Sequence, residues 1–415
     1  QLAMDTIRLP EVKLEDNRLQ THSIGTHLVI LNPEIIGESS SQKLSDCLVN
    51  HSSVYIKQYG ALATPTFRGT SSSHTLVLWN GIPLNSIANG LLDFSITPVQ
   101  GFEKIAIIHG GDASVFGSGA IGGSIHLNSI TDFKQEREIK LTREQGSYGL
   151  LCQGIKLEHS ADKLAFNLSF TNLSDENSFI YSNTIKRGRP TLVNDYGKIE
   201  SKSRKLNLTY KYDSSTKFAV AYWSLVNDRE VPQNMTISFS DAKQYDKTNN
   251  LLFFTTHFFT DGVITLKRAF LKEDFRYTEY LKNIDSHYLT NSKITDIDVK
   301  ITKGGFLYNL GSSITKQSVI NNNYRDTRQI EKQSAVFSCV QYNYDFLSIN
   351  TVLRKQWQTT FEVPLITSMA LSAEVTKQLR IRFKYNRNFR SPSFNDRFWA
   401  GAGANGNPDL TPEDA

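Results

Sequence analysis

Cysteine, methionine and long apolar runs are scarce in this chain of 415 residues. Its three cysteines, Cys47, Cys152 and Cys339, stand far apart and are odd in number. That excludes a disulfide framework and a cysteine-based metal site, and leaves small buried thiols. No stretch of about 18 apolar residues occurs, so no transmembrane helix is expected. The same absence says nothing against a membrane barrel, whose alternating strands average to a low hydropathy; the mean here is -0.35. Charge of one sign is also missing. The 46 basic residues are scattered among 41 acidic ones for a net charge of +5, which offers nucleic acid no footprint. There is no Gly-x-Ser-x-Gly elbow, no His-Glu-x-x-His and no phosphate loop ending in Lys-Ser/Thr, so no enzyme class is indicated. The first residues show neither a basic n-region nor an apolar h-region, so any signal peptide has been removed or was never present.

What is present is a chain that folds. Hydrophobic residues make up 39% and aromatic residues 11%, enough to bury a core, and the length suggests two or more units. Up to about residue 130, short apolar runs (27–31, 53–56, 75–78, 105–108, 124–127) are separated by Gly, Pro, Asn and Ser clusters, as in a small mixed α/β domain. Glycine is dense between Gly110 and Gly123, where close backbone approach or bulges are permitted.

From Arg137 the pattern becomes strict two-residue alternation. Leu164, Phe166, Leu168 and Phe170 alternate with Ala165, Asn167, Ser169 and Thr171. Leu206, Leu208, Tyr210 and Tyr212 alternate with polar residues, and Leu379, Ile381, Phe383 and Tyr385 with Arg380, Arg382, Lys384 and Asn386. Alternation alone also fits a soluble sandwich. Loop lengths separate the two. Short connections near 160–163, 213–217, 260–262, 303–305, 344–346 and 376–378 take turns with long ones near 174–203, 227–249, 281–287, 320–328, 358–364 and 391–413. Short turns on one side and long loops on the other mark an outer-membrane barrel. Trp223, Phe253, Phe254, Phe258, Phe259 and Trp357 sit at strand ends, where interfacial girdles are expected. About thirteen strands precede Ala415, whereas plugged transporters have about 22. An unfinished count cannot close in lipid, so the expectation is a C-terminally incomplete barrel.

Three ordered motifs carry a family resemblance. Arg68-Gly69-Thr70 is followed by His74-Thr75-Leu76-Val77-Leu78-Trp79-Asn80-Gly81-Ile82-Pro83-Leu84-Asn85. Gly110-Gly111-Asp112-Ala113-Ser114-Val115-Phe116-Gly117-Ser118-Gly119-Ala120-Ile121-Gly122-Gly123 comes next. Last come Arg390-Ser391-Pro392-Ser393-Phe394-Asn395-Asp396 and Gly406-Asn407-Pro408-Asp409-Leu410-Thr411-Pro412-Glu413. Together they resemble the TonB-dependent outer-membrane receptors. The resemblance implies an N-terminal segment over residues 1–20, an α/β plug over 21–132 and, over 133–415, the first part of a transmembrane β-barrel that holds the plug in its lumen.

It implies more. The TonB–ExbB–ExbD complex would drive import by acting on a TonB box, for which Asp5, Thr6, Ile7, Arg8 and Leu9 are the candidates; an extended segment there can add as a strand to a partner. Arg68 would face barrel carboxylates. Where relatives read Arg-Gly-Pro this chain has His109-Gly110-Gly111, so His109 is either a member of that plug–barrel network or a core histidine. Ligand would meet two outward apices: the hairpin containing Gln58, Tyr59, Ala61, Leu62 and Thr64, and the loop containing Asn85, Ile87, Asn89 and Leu91. Both are also ordinary turn chemistry. The layout is most similar to the cobalamin receptors, with siderophore or haem receptors and a passive porin as alternatives. No resident cofactor is expected, although Asp175, Glu176, Asp195, Asp241 and Asp246 in the outer loops are candidate calcium ligands. Outer-membrane lipid, a small-molecule ligand and a surface lipoprotein are the remaining expected partners, in a Gram-negative outer membrane.

Overall fold

The computed structural model describes residues 18, 24–38, 43–59, 62–130, 133, 137–232, 234–236, 239–376, 378–401 and 404–415. Seven short strands come first: β1 (His27–Leu31), β2 (Tyr55–Tyr59), β3 (Leu62–Thr66), β4 (Thr75–Trp79), β5 (Ile82–Pro83), β6 (Lys104–His109) and β7 (Gly123–Asn128). Five form a sheet in the order β1-β6-β7-β4-β5, while β2 and β3 make a separate hairpin. The turn from β4 to β5 runs through Asn80 and Gly81, both at positive φ (48° and 83°). A two-residue turn that matches strand twist needs this conformation, and Asn-Gly adopts it at least cost.

Both faces of the sheet are buried, so its strands read as continuous apolar runs. Val77, Trp79, Ile105, Ile107, Ile125 and Leu127 pack on one side with the helix Leu44–His51. Leu76, Leu78, Ala106 and Ile108 pack on the other.

The larger unit is a single antiparallel sheet of 13 strands. In order they are β8 (Arg137–Gln145), β9 (Leu151–Ser160) and β10 (Leu164–Asp175), then, past a small loop hairpin of β11 (Ile180–Ser182) and β12 (Thr191–Val193), β13 (Ile199–Lys211), β14 (Thr216–Glu230), β15 (Lys243–Phe259), β16 (Gly262–Glu279), β17 (Ile284–Lys303), β18 (Phe306–Asn321), β19 (Arg328–Tyr344), β20 (Leu347–Gln358), β21 (Ile366–Glu374) and β22 (Arg380–Asn386). Its polarity is the reverse of a soluble protein's. Outward residues include Leu208, Phe253, Leu266, Ile314 and Phe383, all exposed. Inward residues such as Asn167, Thr209, Asn250, Asp298 and Asn350 are buried. A greasy outside around a polar inside is what a bilayer outside and a filled lumen inside demand.

The sheet curves round the first unit. Trp223, Leu252 and Phe254 of β14 and β15 join the apolar cluster on one face of the plug sheet. Phe337, Cys339 and Val352 of β19 and β20 join the cluster on the other.

Connections 161–163, 212–215, 260–261, 304–305 and 345–346 are tight turns at one rim, and the longer ones, 176–198 and 231–242 among them, lie at the other. Three details differ from the sequence reading. Strands β14 and β15 run on to Glu230 and start again at Lys243, so much of the expected 227–249 loop is strand. Trp223 and Phe254 are not girdle residues: both are buried and point inward, Trp223 meeting Trp79 and Phe102 edge to face at 5.9 and 5.4 Å. An outward aromatic row does lie at the tight-turn rim. Phe306 contacts Tyr308 and Tyr342, and Tyr342 stacks near Tyr344. Residues 391–413 are no plain loop either. The helix Phe394–Phe398, capped by Ser393 and Asp396, tucks into the lumen, where Arg397 pairs with Glu331 of β19 at 2.7 Å.

Candidate functional site

Cations of the inner wall hold the plug. Lys205 of β13 donates to the carbonyl oxygens of Pro98 (3.1 Å) and Gln100 (2.5 Å) and sits 3.4 Å from the Phe102 ring centroid. Lys267 of β16 donates to the Asn80 carbonyl at 3.1 Å. Lys384 of β22 meets Asp112 at 3.1 Å; burial pushes the Asp112 carboxyl above its ordinary range while Lys384 pulls it back. From the plug side, Arg18 pairs with Asp296 (2.7 Å) and Asp298 (2.9 Å) of β17, its guanidinium over the Phe337 ring.

Arg68 departs from the expectation. It is exposed, in a left-handed turn at φ 48°, and among the described residues it makes no ion pair with a barrel carboxylate. A left-handed turn at the plug surface aims its side chain at solvent, away from the wall. Among the described residues the ring contacts of His109 lie within the plug, with His27 at 5.0 Å and Phe67 at 5.2 Å. Partial burial, then His27, then Arg68 hold its pKa below the ordinary histidine value. His74 does reach the downstream motif: its Nε2 lies 2.5 Å from Glu413, itself bonded by Arg390.

At the long-loop rim, plug and wall enclose a cavity of about 340 Å³. Both expected apices line it, through Tyr59 and Leu62 of the hairpin and Asn85, Ile87, Asn89 and Leu91 of the loop. The remaining hairpin candidates fall elsewhere. Gln58 faces a separate surface hollow beside Asn50 and Tyr55, Thr64 is buried and accepts from Ser72 at 2.8 Å, and Ala61 is outside the described residues, as are Asp5, Thr6, Ile7, Arg8 and Leu9. Asn85 lines the cavity but spends its amide internally: Oδ1 accepts from Val77 N–H at 2.8 Å, and Nδ2 donates to the Thr75 and Gly90 carbonyls at 3.0 Å. It therefore shapes the loop.

The wall completes the site with residues that sequence inspection did not single out. Arg229 of β14 pairs with Asp93 at 2.7 Å and donates to Ser95 at 3.1 Å. Asp93 also accepts from the backbone N–H of Ala63 at 3.1 Å and of Ser95 at 2.9 Å, so one carboxylate joins hairpin, apical loop and wall. Glu273 of β16 accepts from Ser86 (2.7 Å), Tyr288 (2.9 Å) and Thr290 (3.3 Å), and Tyr288 stacks on Phe275 at 4.7 Å. Asn227, fully buried, lines the cavity, and among the described residues neither of its side-chain polar atoms is hydrogen-bonded.

The five loop carboxylates do not assemble, and among the described residues no group of three or more His, Cys, Asp or Glu could hold a metal ion. Asp175 caps Asn177 N–H at 3.1 Å, Glu176 faces Lys198 at 3.5 Å and Asp241 accepts from Leu281 N–H at 2.9 Å. Asp195 lies in the 176–198 connection. Asp246 lies in strand β15 and lines the cavity beside Gln244.

A plugged barrel with a chamber between plug apices and outer wall defines a class of ligand-taking membrane receptor. The TonB-dependent receptor plug domain matches residues 22–124, and the TonB-dependent receptor-like β-barrel matches residues 154–415; the chain belongs to the TonB-dependent receptor family. It is 24% identical over 374 residues to the vitamin B12 transporter BtuB of Photobacterium profundum, which covers 86% of this chain and 57% of that protein. It is 34% identical over 112 residues to the vitamin B12 transporter BtuB of Vibrio cholerae, covering 26% of this chain and 18% of the relative. The chain thus spans little more than half the length of the first relative. Among solved structures, the siderophore receptor PiuA from Acinetobacter baumannii superposes with a TM-score of 0.73 at 12% identity, covering 94% of this chain and 68% of that one. The ferric yersiniabactin uptake receptor FyuA from Yersinia pestis gives 0.70 at 12% identity, over 88% and 65%. At such identity they share the fold alone.

Proposed function

We propose that this protein imports cobalamin across the outer membrane of a Gram-negative bacterium, driven by TonB–ExbB–ExbD acting on the segment Asp5–Leu9. The observation that carries the substrate is the charge of the chamber. Its lining has two cations, Arg229 and Lys272, against three carboxylates, Asp93, Asp246 and Glu273, and Arg229 is already neutralised by Asp93. Such a wall offers an anionic catecholate or haem ligand no surplus of cations and suits a large, neutral, amide-bearing one held by apolar contact and a few hydrogen bonds. The sequence relatives named as vitamin B12 transporters point the same way. Siderophore receptors share the fold, so a ferric siderophore is the second reading. Calorimetry of the purified full-length protein against cyanocobalamin and ferric enterobactin separates them. Micromolar or tighter binding of cyanocobalamin alone is expected; binding of the siderophore alone rejects the proposal.

A further inference from the structure

Several polar side chains that face the cavity are already occupied. Asn85 is consumed inside its own loop, Arg229 by Asp93 and Ser95, and Glu273 by three hydroxyls. Asn227 is buried on the same wall and is not. Strand register puts it directly opposite Asp246 on one neighbour and Ser201 on the other, which turns its side chain to the lumen. It has no exposed surface, and among the described residues both Oδ1 and Nδ2 lack a partner. A buried amide with an empty donor and an empty acceptor is costly unless something completes it. The group that satisfies both at once is another primary amide, whose carbonyl accepts from Nδ2 while its N–H donates to Oδ1. A carboxylate can only accept, so it leaves Oδ1 unpaired and brings a negative charge beside Asp246, Asp93 and Glu273, all of which line the same space.

We propose that Asn227 makes this chamber selective for ligands bearing primary carboxamides over the same scaffold bearing carboxylates. The inference rests on the cobalamin reading for its natural ligand, but its chemistry is separable from it. A second hollow of about 20 Å³ also borders Asn227, beside Ser201 and Ser203, so the rival is an asparagine completed by water on that side with no part in recognition.

The full-length receptor is titrated with cyanocobalamin and with its side-chain-hydrolysed carboxylate derivative. The intact amide form should bind about tenfold or more tighter, the worth of a matched hydrogen-bond pair over a mismatched one. Asn227→Leu should weaken the amide form by about tenfold and leave the carboxylate form unchanged, so the two affinities converge. Equal binding of both ligands by the wild type overturns the proposal, and so does a substitution that changes neither affinity or lowers both alike. If neither corrinoid binds, the cobalamin reading fails by itself, and a second measurement decides the selectivity. The side-chain NH₂ signal of Asn227, assigned in asparagine-¹⁵N-labelled protein by its loss in Asn227→Leu, should move with millimolar propionamide and not with propionate. A signal that moves with both, or with neither, overturns it.

Discussion

Single side chains tie the apices to the wall, and Asp93 shows how. Its two oxygens serve Arg229, Ser95 and the Ala63 backbone, so Asp93→Ala strands a buried guanidinium and frees two loops together. Removing one partner of a buried pair costs about 3–5 kcal/mol. The expected result is a large loss of hydrogen-exchange protection at the Ala63 and Ser95 amides, with the barrel strands unaffected. His109 supplies a pH dependence. Its folded pKa lies below the unfolded value of 6.5, so the unfolded chain takes up its proton first and the plug is destabilised as pH falls below about 6.5. Protonation sets a new charge against His27 and Arg68. His109→Phe keeps the ring packing and should remove about 1–2 °C of the acid-induced fall in Tm between pH 7.5 and 5.5. An unchanged fall would assign the acid sensitivity to the other histidines.

Among the elements, the pairing of β18 with β19 controls the N-terminal anchor. Gly311 lies opposite Phe337, and a Cβ at 311 would overlap the Phe337 ring. That ring lies under the guanidinium of Arg18. Gly311→Val should push the ring aside, loosen the Arg18 clamp on Asp296 and Asp298, and speed tryptic cleavage after Arg18 several-fold. Strands of this kind were largely legible from sequence. The alternations at 164–171 and 206–212 gave the right residues to each face, because a lipid-facing side and a lumen-facing side differ sharply in polarity. The turn rims were legible for the same reason. Strand ends were not: β14 and β15 keep pairing beyond the apolar band, where both faces are polar and alternation vanishes. Trp223 and Phe254 were misread because an aromatic at a strand end looks the same whether it meets a headgroup or a plug. Asn227 was invisible, since nothing local distinguishes it from Asn207, which is hydrogen-bonded to Ser129. Arg68 carried the right motif, but its backbone conformation turned it away.

At the scale of the whole molecule, the reversed polarity sets what the surface tolerates. Ile314 is 63% exposed on the outer face, and an arginine there should cost about 2–4 kcal/mol if it lies near the bilayer midplane. Folding titrations into lipid vesicles of Ile314→Arg, against Ile314→Leu as control, measure that loss. Equal stability of the two would mean that this face does not meet lipid. The two apolar clusters that join plug to wall lie on opposite sides of one small sheet, so plug and barrel share their cores.

The grip of Lys205 and Lys267 falls on carbonyl oxygens of Pro98, Gln100 and Asn80, atoms that every amino acid possesses. The barrel therefore recognises the course of the plug's main chain at these points, much as a lock that checks the outline of a key and ignores its engraving. The grip itself asks nothing of those side chains, and Asn80 keeps its identity for the sake of its turn and its bond to Ser129 instead.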